Sequence, residues 1–266
     1  MVGFAEIDGY CRGLLARGWP DVPIFEDVND VSSESLRETR IDVITGGFPC
    51  QPVSIAGNRG GVNDERFMWP EFFRVIADVR PSFVIIENSP NLRVVEGGAI
   101  FLAMLVDLAG VGYAVEWRNI SASELGAWHR RNRLWIVAYP DGNGQSSANV
   151  PRNGSREDRV HPLSKQQGRD ECRPAIAGGS GVATSAIDPS VWTAGTARIF
   201  TREADRLLAE LRERNIRAVW GCEPGVHRLV DGTYDKRVLR AMGNAVVPQV
   251  VEFIGRLILK YVESVQ

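Results

Sequence analysis

Residues 41–54 read IDVITGGFPCQPVS, a short apolar strand followed at once by a turn of glycine and proline. A strand that ends in Gly-Gly-x-Pro presents its next side chain at the carboxyl edge of a sheet, where open α/β sheets bind their ligands. That side chain is Cys50, which is therefore either a candidate nucleophile or a small buried hydrophobe. Pro49 stiffens the turn, and Gln51 and Ser54 offer hydrogen bonds to a polar ligand.

Working outward from this turn, β-rich and helix-like runs alternate along the first half of the chain. Strands are predicted at residues 2–7, 41–45, 83–87 and 134–139, with helices at residues 66–79 and 99–108. This alternation predicts an α/β fold with a mostly parallel, doubly wound sheet. Later helices are predicted at residues 202–214, with an apolar stripe of Leu207, Leu208 and Leu211, and at residues 248–262, which should pack back on the sheet.

Composition predicts a folded core and an uneven charge. The chain has 266 residues, of which 44% are hydrophobic and 24% charged. We expect a catalytic α/β domain at residues 1–139, a small, loop-rich and partly irregular region at residues 140–237, and a segment at residues 238–266 that returns to the first domain. Residues 1–120 carry a formal charge of -7 and residues 121–266 one of +5. The second part is therefore the expected phosphate-facing side.

Several classes of protein are disfavoured. The four cysteines have no Cys-x-x-Cys spacing, so neither a zinc site nor a disulfide framework is predicted, and we expect no bound metal. The first ten residues lack a basic start, and the longest apolar run, residues 99–106, is too short to cross a bilayer. The expectation is a monomeric cytoplasmic protein with no membrane partner.

A second chemical feature lies at residues 83–91, which read FVIIENSPN. This apolar strand ends in Glu87, so its carboxylate is expected at the same sheet edge as Cys50. Partial burial there would raise its pKa toward that of a useful acid. A helix cap or an ion-pair partner is the alternative role for a glutamate at a strand end.

Basic residues precede the strand at residues 134–139. Residues 129–133 read HRRNR. On an extended segment Arg131 and Arg133 point to one face, where their guanidinium groups can converge on one acceptor, and Arg130 points to the other. The alternative is a basic edge strand that faces water.

A fourth feature is the Gly-Asn turn in residues 241–249, which read AMGNAVVPQ and lead into the last predicted helix. Such a turn presents backbone and amide groups to a ligand, and the helix amino end behind it favours an anion. Gly-Asn is also a common turn without any binding role.

These four motifs, in this order, resemble those of the cytosine-C5 DNA methyltransferases. The resemblance implies a Rossmann-like S-adenosylmethionine-dependent methyltransferase sheet, and transfer of a methyl group to C5 of a flipped cytosine through a covalent adduct between Cys50 and C6. It implies catalytic roles for Cys50, Glu87, Arg131 and Arg133. Ser89 stands where family members often have Val, and His129 where the family has Gln, so only the two arginine roles carry over from that third motif.

The resemblance also implies a cofactor and a substrate. S-adenosylmethionine is the expected cofactor, held by Glu6, Asp27, Pro49, Asn244 and Val246. Double-stranded DNA is the expected partner, contacted by Gln51, Ser54 and Arg228, with residues 54–64 as the loop that closes over the base and residues 140–237 as the target-recognition region. Such enzymes imply a prokaryotic or phage-encoded, nucleoid-associated protein, in a restriction-modification pair or alone.

The amino terminus departs from the family pattern. No Phe-x-Gly-x-Gly turn precedes Val2, so the resemblance implies that the first family strand is absent, through truncated cloning or a misplaced start codon. We expect S-adenosylmethionine binding by the chain as given to be weak or absent. Two alternatives stay open: a DNA-binding remnant without catalysis, and a tRNA cytosine-C5 methyltransferase, although the Cys-Phe-Thr element of that branch is not present.

Overall fold

The computed structural model describes residues 1–36, 39–48, 68–141, 199–200, 202–218 and 236–265. The strands are β1 (Phe4–Ala5), β2 (Ile24–Phe25), β3 (Val43–Gly46), β4 (Phe83–Asn88), β5 (Tyr113–Ile120) and β6 (Arg133–Pro140). The helices are α1 (Gly9–Gly18), α2 (Trp69–Val79), α3 (Ala99–Gly110), α4 (Arg202–Ala218), α5 (Lys236–Asn244) and α6 (Pro248–Val265). The predicted α/β class is confirmed.

The described strands form two sheets. β1 pairs with β2 in parallel, and the larger sheet has the order β3-β4-β6-β5. β3, β4 and β5 run in one direction, but β6 is antiparallel to both of its neighbours. The prediction of a mostly parallel sheet is therefore wrong for β6. The connection from β5, residues 121–132, contains only one short 3-10 turn, Ala122–Leu125, and not the helix that usually links parallel neighbours.

Helices cover both faces of the larger sheet. Side chains alternate along β6, so that Leu134, Ile136 and Ala138 pack with α2 and α3 in one core. Trp135, Val137 and Tyr139 face the opposite side and pack with α4 and α6 in a second core. The strand is thus buried on both faces, as the predicted doubly wound architecture requires. The predicted packing of the last helix on the sheet is confirmed.

The stripe predicted on α4 is also confirmed, since Leu207 and Leu211 are buried and Leu208 is partly buried against the second core. α1, β2, β5 and α5 have no counterpart among the elements predicted from the sequence. Because α5 begins at Lys236, the boundary predicted after residue 237 falls inside a helix. Most of the region at residues 140–237 lies outside the described residues, so the predicted domain division stays a prediction.

The Glu116 carboxylate connects residues on the two sides of the segment between β6 and α4. Glu116 on β5 accepts hydrogen bonds from the Tyr139 hydroxyl at 2.5 Å and from the backbone N–H groups of Ile199 at 2.7 Å and Phe200 at 3.0 Å. Tyr139 lies near the end of β6, and Ile199 and Phe200 lead into α4. The chain therefore leaves the sheet and returns to it at the same place.

Gly46 at the end of β3 is required by close packing. A Cβ atom there would lie 2.5 Å from Cζ of Phe72 on α2, whereas one at Gly13 within α1 meets nothing within 4 Å. We expect Gly46→Ala to lower the free energy of unfolding by about 1–3 kcal/mol through overpacking. Gly13→Ala, the matched control, should raise it by up to about 1 kcal/mol. Urea unfolding followed by circular dichroism measures both, and equal stability of the two variants would contradict this packing.

Candidate active site

The ends of two neighbouring strands bring Glu87 and Arg133 together. Glu87 is the fifth residue of β4 and Arg133 the first of β6. Because β6 runs against β4, its first residue lies at the edge where β4 ends. Nε of Arg133 is 2.9 Å from Oε1 of Glu87. The reversed strand, which the sequence analysis did not predict, therefore makes this ion pair possible.

The environment of Glu87 favours its protonated form. The side chain is only 17% exposed. Burial raises the pKa of Glu87, and the charges of Arg133 and Arg131 oppose that rise without cancelling it. Burial also lowers the pKa of Arg131, with the neighbouring charge of Arg133 acting in the same direction. A carboxyl group with a raised pKa beside fixed donors is suited to giving a proton to a bound ligand.

Arg131 reaches this site in a different way from that predicted. The expectation of one extended segment through Arg131 and Arg133 is wrong, because Arg131 has a φ of 35° and β6 begins only at Arg133. A positive φ turns the chain away from the extended form at this residue. Its guanidinium group donates a hydrogen bond to the backbone oxygen of Ala245. Arg131 thus connects the Glu87 site to the segment that follows α5.

The chain toward Cys50 passes close to Glu87. A Cβ atom at Gly47 would lie 3.2 Å from both the backbone oxygen and Oε2 of Glu87, so the absence of a side chain allows this approach. The buried Asn88 donates from Nδ2 to the backbone oxygen of Phe48 at 3.3 Å. Cys50 itself is outside the described residues, as are Pro49, Gln51, Ser54 and Arg228. Their predicted roles remain predictions.

Two further groups lie at this edge that were not singled out from the sequence. Asn88 was noted only as part of a motif, yet its hydrogen bond holds Phe48 at the end of the described segment. Trp135 lies opposite Glu87 in the strand register and lines a shallow depression with Arg131, Arg133 and Val246. Its indole N–H is buried and has no hydrogen-bond partner among the described residues. An unpaired buried donor of this kind is available to a ligand.

Two of the predicted cofactor residues, Glu6 and Asp27, lie just beyond the strands of the smaller sheet. Glu6 follows β1 and Asp27 follows β2, and the N–H of Glu6 donates to the backbone oxygen of Phe25 at 3.0 Å. Since the two strands are parallel, both carboxylates are at the same edge. Each also accepts a local backbone hydrogen bond, Glu6 from Asp8 and Asp27 from Asn29, at 2.8 Å.

Asn244 is the exposed last residue of α5, and this helix contacts the beginning of α1. Arg240 is 3.7 Å from the Asp8 carboxylate, and the Arg237 guanidinium lies 5.5 Å from the centre of the Tyr10 ring. The segment after α5 then reaches Arg131 and places Val246 beside Glu87. The C-terminal segment therefore joins the two edges, with Asn244 between them and Val246 nearer the Glu87 site.

The described part of the chain has neither a metal-binding cluster nor a helix suited to a membrane. It contains no cluster of three or more His, Cys, Asp or Glu side chains that could hold a metal ion. None of its helices combines the length and the apolar character that crossing a bilayer demands.

The chain is similar in sequence to known type II methyltransferases. It is 34% identical over 130 residues to the type II methyltransferase M.Sau3AI of Staphylococcus aureus, covering 46% of this chain and 32% of that protein. It is 29% identical over 143 residues to M.DsaV of Dactylococcopsis salina, covering 53% and 40%. The chain thus spans less than half the length of these relatives. The solved structure of the Entamoeba histolytica methyltransferase EhMeth is 18% identical with a TM-score of 0.44, covering 53% of this chain and 46% of that one.

The sequence-family model of the C-5 cytosine-specific DNA methylases matches residues 1–170, which is more than half of the chain. This range includes the Cys50 turn, the strand that ends in Glu87 and the two arginines beside it. The chain belongs to the C-5 cytosine-specific DNA methylase family.

Proposed function

We propose that this chain carries the methyl-transfer site of a DNA (cytosine-5-)-methyltransferase. The observation that carries the proposal is the partly buried Glu87 carboxyl group, which has a raised pKa and is held by Arg133 at 2.9 Å where the chain approaches Cys50. An acid and a fixed cation at one sheet edge, together with the thiol that we propose for Cys50, suit addition to an electron-poor ring.

The chemical problem is that C5 of cytosine is a poor nucleophile. The Cys50 thiolate adds to C6, forming a carbon–sulfur bond and moving electron density through C5 and C4 to N3. Glu87, in its protonated form, donates its proton to N3 and so neutralises the charge that develops there. C5 becomes an enamine-like nucleophile as a result. After C5 gains the methyl group, a water molecule accepts the C5 proton, the C5–C6 double bond forms again as the C6–sulfur bond breaks and releases the Cys50 thiolate, and the N3 proton returns to Glu87.

The two arginines position the base and the acid. Arg133 is already bonded to Glu87, and its remaining N–H groups can donate to the O2 atom of the same base. Arg131 supports this arrangement by anchoring the segment around Ala245, and its charge lies close enough to affect the pKa of Glu87. A stacked base cannot reach such a site, so the target cytosine must be flipped out of the duplex.

The residues of the smaller sheet fit S-adenosylmethionine. A nucleoside offers ribose hydroxyls and an adenine amino group as donors, and Glu6 and Asp27 supply carboxylate acceptors at one edge. When bound, this cofactor supplies the methyl group as an electrophilic sulfonium. We propose Pro49, Asn244 and Val246 as its other contacts, and Gln51, Ser54 and Arg228 as contacts to double-stranded DNA.

One observation favours a second candidate, a DNA-binding protein without catalysis. Among the described strands, β1 and β3 are not hydrogen-bonded to each other, so the edge with Glu6 and the edge with Glu87 belong to different sheets. A cofactor that must touch both edges would then bind loosely. We therefore expect weak S-adenosylmethionine binding, which calorimetry measures. Tight binding by the 266-residue chain would contradict this expectation.

The experiment that separates the candidates uses S-adenosylmethionine labelled on its methyl group, at millimolar concentration to offset weak binding. It is mixed with the full chain and either random-sequence duplex DNA or a tRNA pool, and the nucleic acid is digested to nucleosides. Labelled 5-methylcytosine from the DNA supports the proposed function. Label only in tRNA supports the RNA alternative, and DNA binding without transfer of label supports the non-catalytic one.

A further inference from the structure

Trp128 is an exposed aromatic side chain whose position no catalytic role explains. Its exposed fraction is 68%, against 46% for Trp19, and the described Trp69 and Trp135 are buried. Indole is among the largest apolar groups, and leaving it in water is costly unless something covers it. Single exposed apolar residues are common on proteins, so exposure alone does not identify a partner.

The loop that carries Trp128 is held firmly on both sides. Ala122 donates its N–H to the backbone oxygen of Arg130 at 2.7 Å. The N–H of Ala127 donates to the backbone oxygen of Ala122 at 3.1 Å. The buried Asn215 on α4 donates to the backbone oxygen of Leu125 at 3.2 Å. The indole is therefore presented from a braced turn, and little conformational entropy has to be lost when it binds.

The surroundings of Trp128 are basic and aromatic. The His129 ring meets the indole edge to face, with centroids 5.1 Å apart and an angle of 88°. Arg130 is exposed, and Arg131 and Arg133 follow in the next three positions. Residues 125–133 contain no acidic side chain. An aromatic platform among cations is the pattern by which proteins bind unstacked bases and the phosphates beside them.

The position of this loop relates it to the Glu87 site. It connects the end of β5 to the start of β6, and Ile120 and Arg133 are paired across those two ends. Arg133 in turn contacts Glu87. Trp128 is thus on the rim of the edge where the proposed function puts an extruded cytosine.

We propose that Trp128 stacks on a base of bound DNA that has lost its own stacking partner beside the extruded cytosine. The inference rests on the proposed function for the identity of the nucleic acid. Stacking on an aromatic ring is tolerant of sequence, since every base has a π face. Trp128 therefore strengthens binding to DNA with an opened base pair. It does not determine which DNA sequence is bound.

The test measures DNA affinity by fluorescence anisotropy for a fully paired duplex and for the same duplex with one abasic position. Trp128→Ala should weaken binding about tenfold or more, with the larger loss on the abasic duplex. Trp128→Phe should recover most of the affinity because it keeps a ring. Leu259→Ala is the matched control, since Leu259 on α6 is 63% exposed. It should bind as the wild type does.

A second readout separates stacking from a structural effect. Saturating DNA should quench tryptophan emission of the wild type more than that of Trp128→Phe, while both melt at the same temperature. DNA binding that is equal in the wild type and Trp128→Ala, or quenching that does not depend on Trp128, overturns this inference and leaves the proposed function intact. A chain that binds no DNA at all overturns both.

Discussion

Replacement of Cys50 with serine should lower methyl transfer by a factor on the order of 10⁴ or more. Serine keeps the size of the side chain, but its hydroxyl group does not ionise near neutral pH and is a far weaker nucleophile than a thiolate. Without addition at C6, C5 never becomes reactive. The measurement is single-turnover transfer of labelled methyl groups to random-sequence duplex DNA at millimolar cofactor.

Cys11 provides the control for this substitution. It lies in α1 and is not among the residues proposed for catalysis or binding, and burial raises the pKa of its thiol, with the nearby Glu6 and Asp8 carboxylates acting in the same direction. It therefore stays protonated and unreactive at neutral pH. Cys11→Ser should transfer methyl groups within about twofold of the wild type. If Cys50→Ser kept wild-type transfer, another residue would have to be the nucleophile.

Glu87→Gln should lower turnover by about two to four orders of magnitude while leaving DNA affinity nearly unchanged. The amide has the shape of the protonated acid and still accepts from Arg133, but it has no acidic proton to give to N3. Rates and binding constants are measured separately with the duplex pool. Equal losses of affinity and turnover would mean that Glu87 only supports the structure.

The same substitution should change the pH dependence of stability. Because the folded-state pKa of Glu87 is raised above 4.5, its contribution to stability is fully present below pH 4.5 and is lost as the pH rises through the folded-state pKa. Glutamine stays neutral throughout. The free energy of unfolding of Glu87→Gln, relative to the wild type, should therefore increase from acid to neutral pH in urea titrations. A decrease over that range would mean that the ion pair with Arg133 outweighs burial.

The parts of the fold that can be predicted from the sequence are those with an uninterrupted apolar pattern. β4 is a nearly continuous apolar run, and the leucine stripe of α4 is buried as its spacing predicts. β5 was not predicted because Glu116 and Arg118 interrupt its apolar pattern. Their polarity has a structural cause: Glu116 accepts from the backbone ahead of α4, and Arg118 bonds to Asp205 on α4 at 2.8 Å.

Other features depend on contacts that sequence patterns do not carry. No residue of α1 is buried, so the helix has no apolar stripe to detect, and only Asp8 marks its start as a side-chain cap. The direction of β6 and the positive φ of Arg131 follow from how residues 121–132 turn. The sequence therefore predicted functional roles for Glu87, Arg131 and Arg133. It did not predict the antiparallel pairing of β4 and β6, which brings Glu87 and Arg133 together.

The central claim, that Cys50 is the nucleophile at the Glu87 edge, is tested most directly by trapping without cofactor. Duplex DNA of random sequence is made with 2-pyrimidinone in place of cytosine, since loss of the amino group makes C6 a better acceptor for a thiolate. The full chain is incubated with it, denatured, digested and examined by mass spectrometry. We expect one adduct, on the peptide that contains Cys50, which is absent from Cys50→Ser and forms much more slowly in Glu87→Gln. An adduct on Cys11, Cys172 or Cys222, or none on any cysteine, would contradict it.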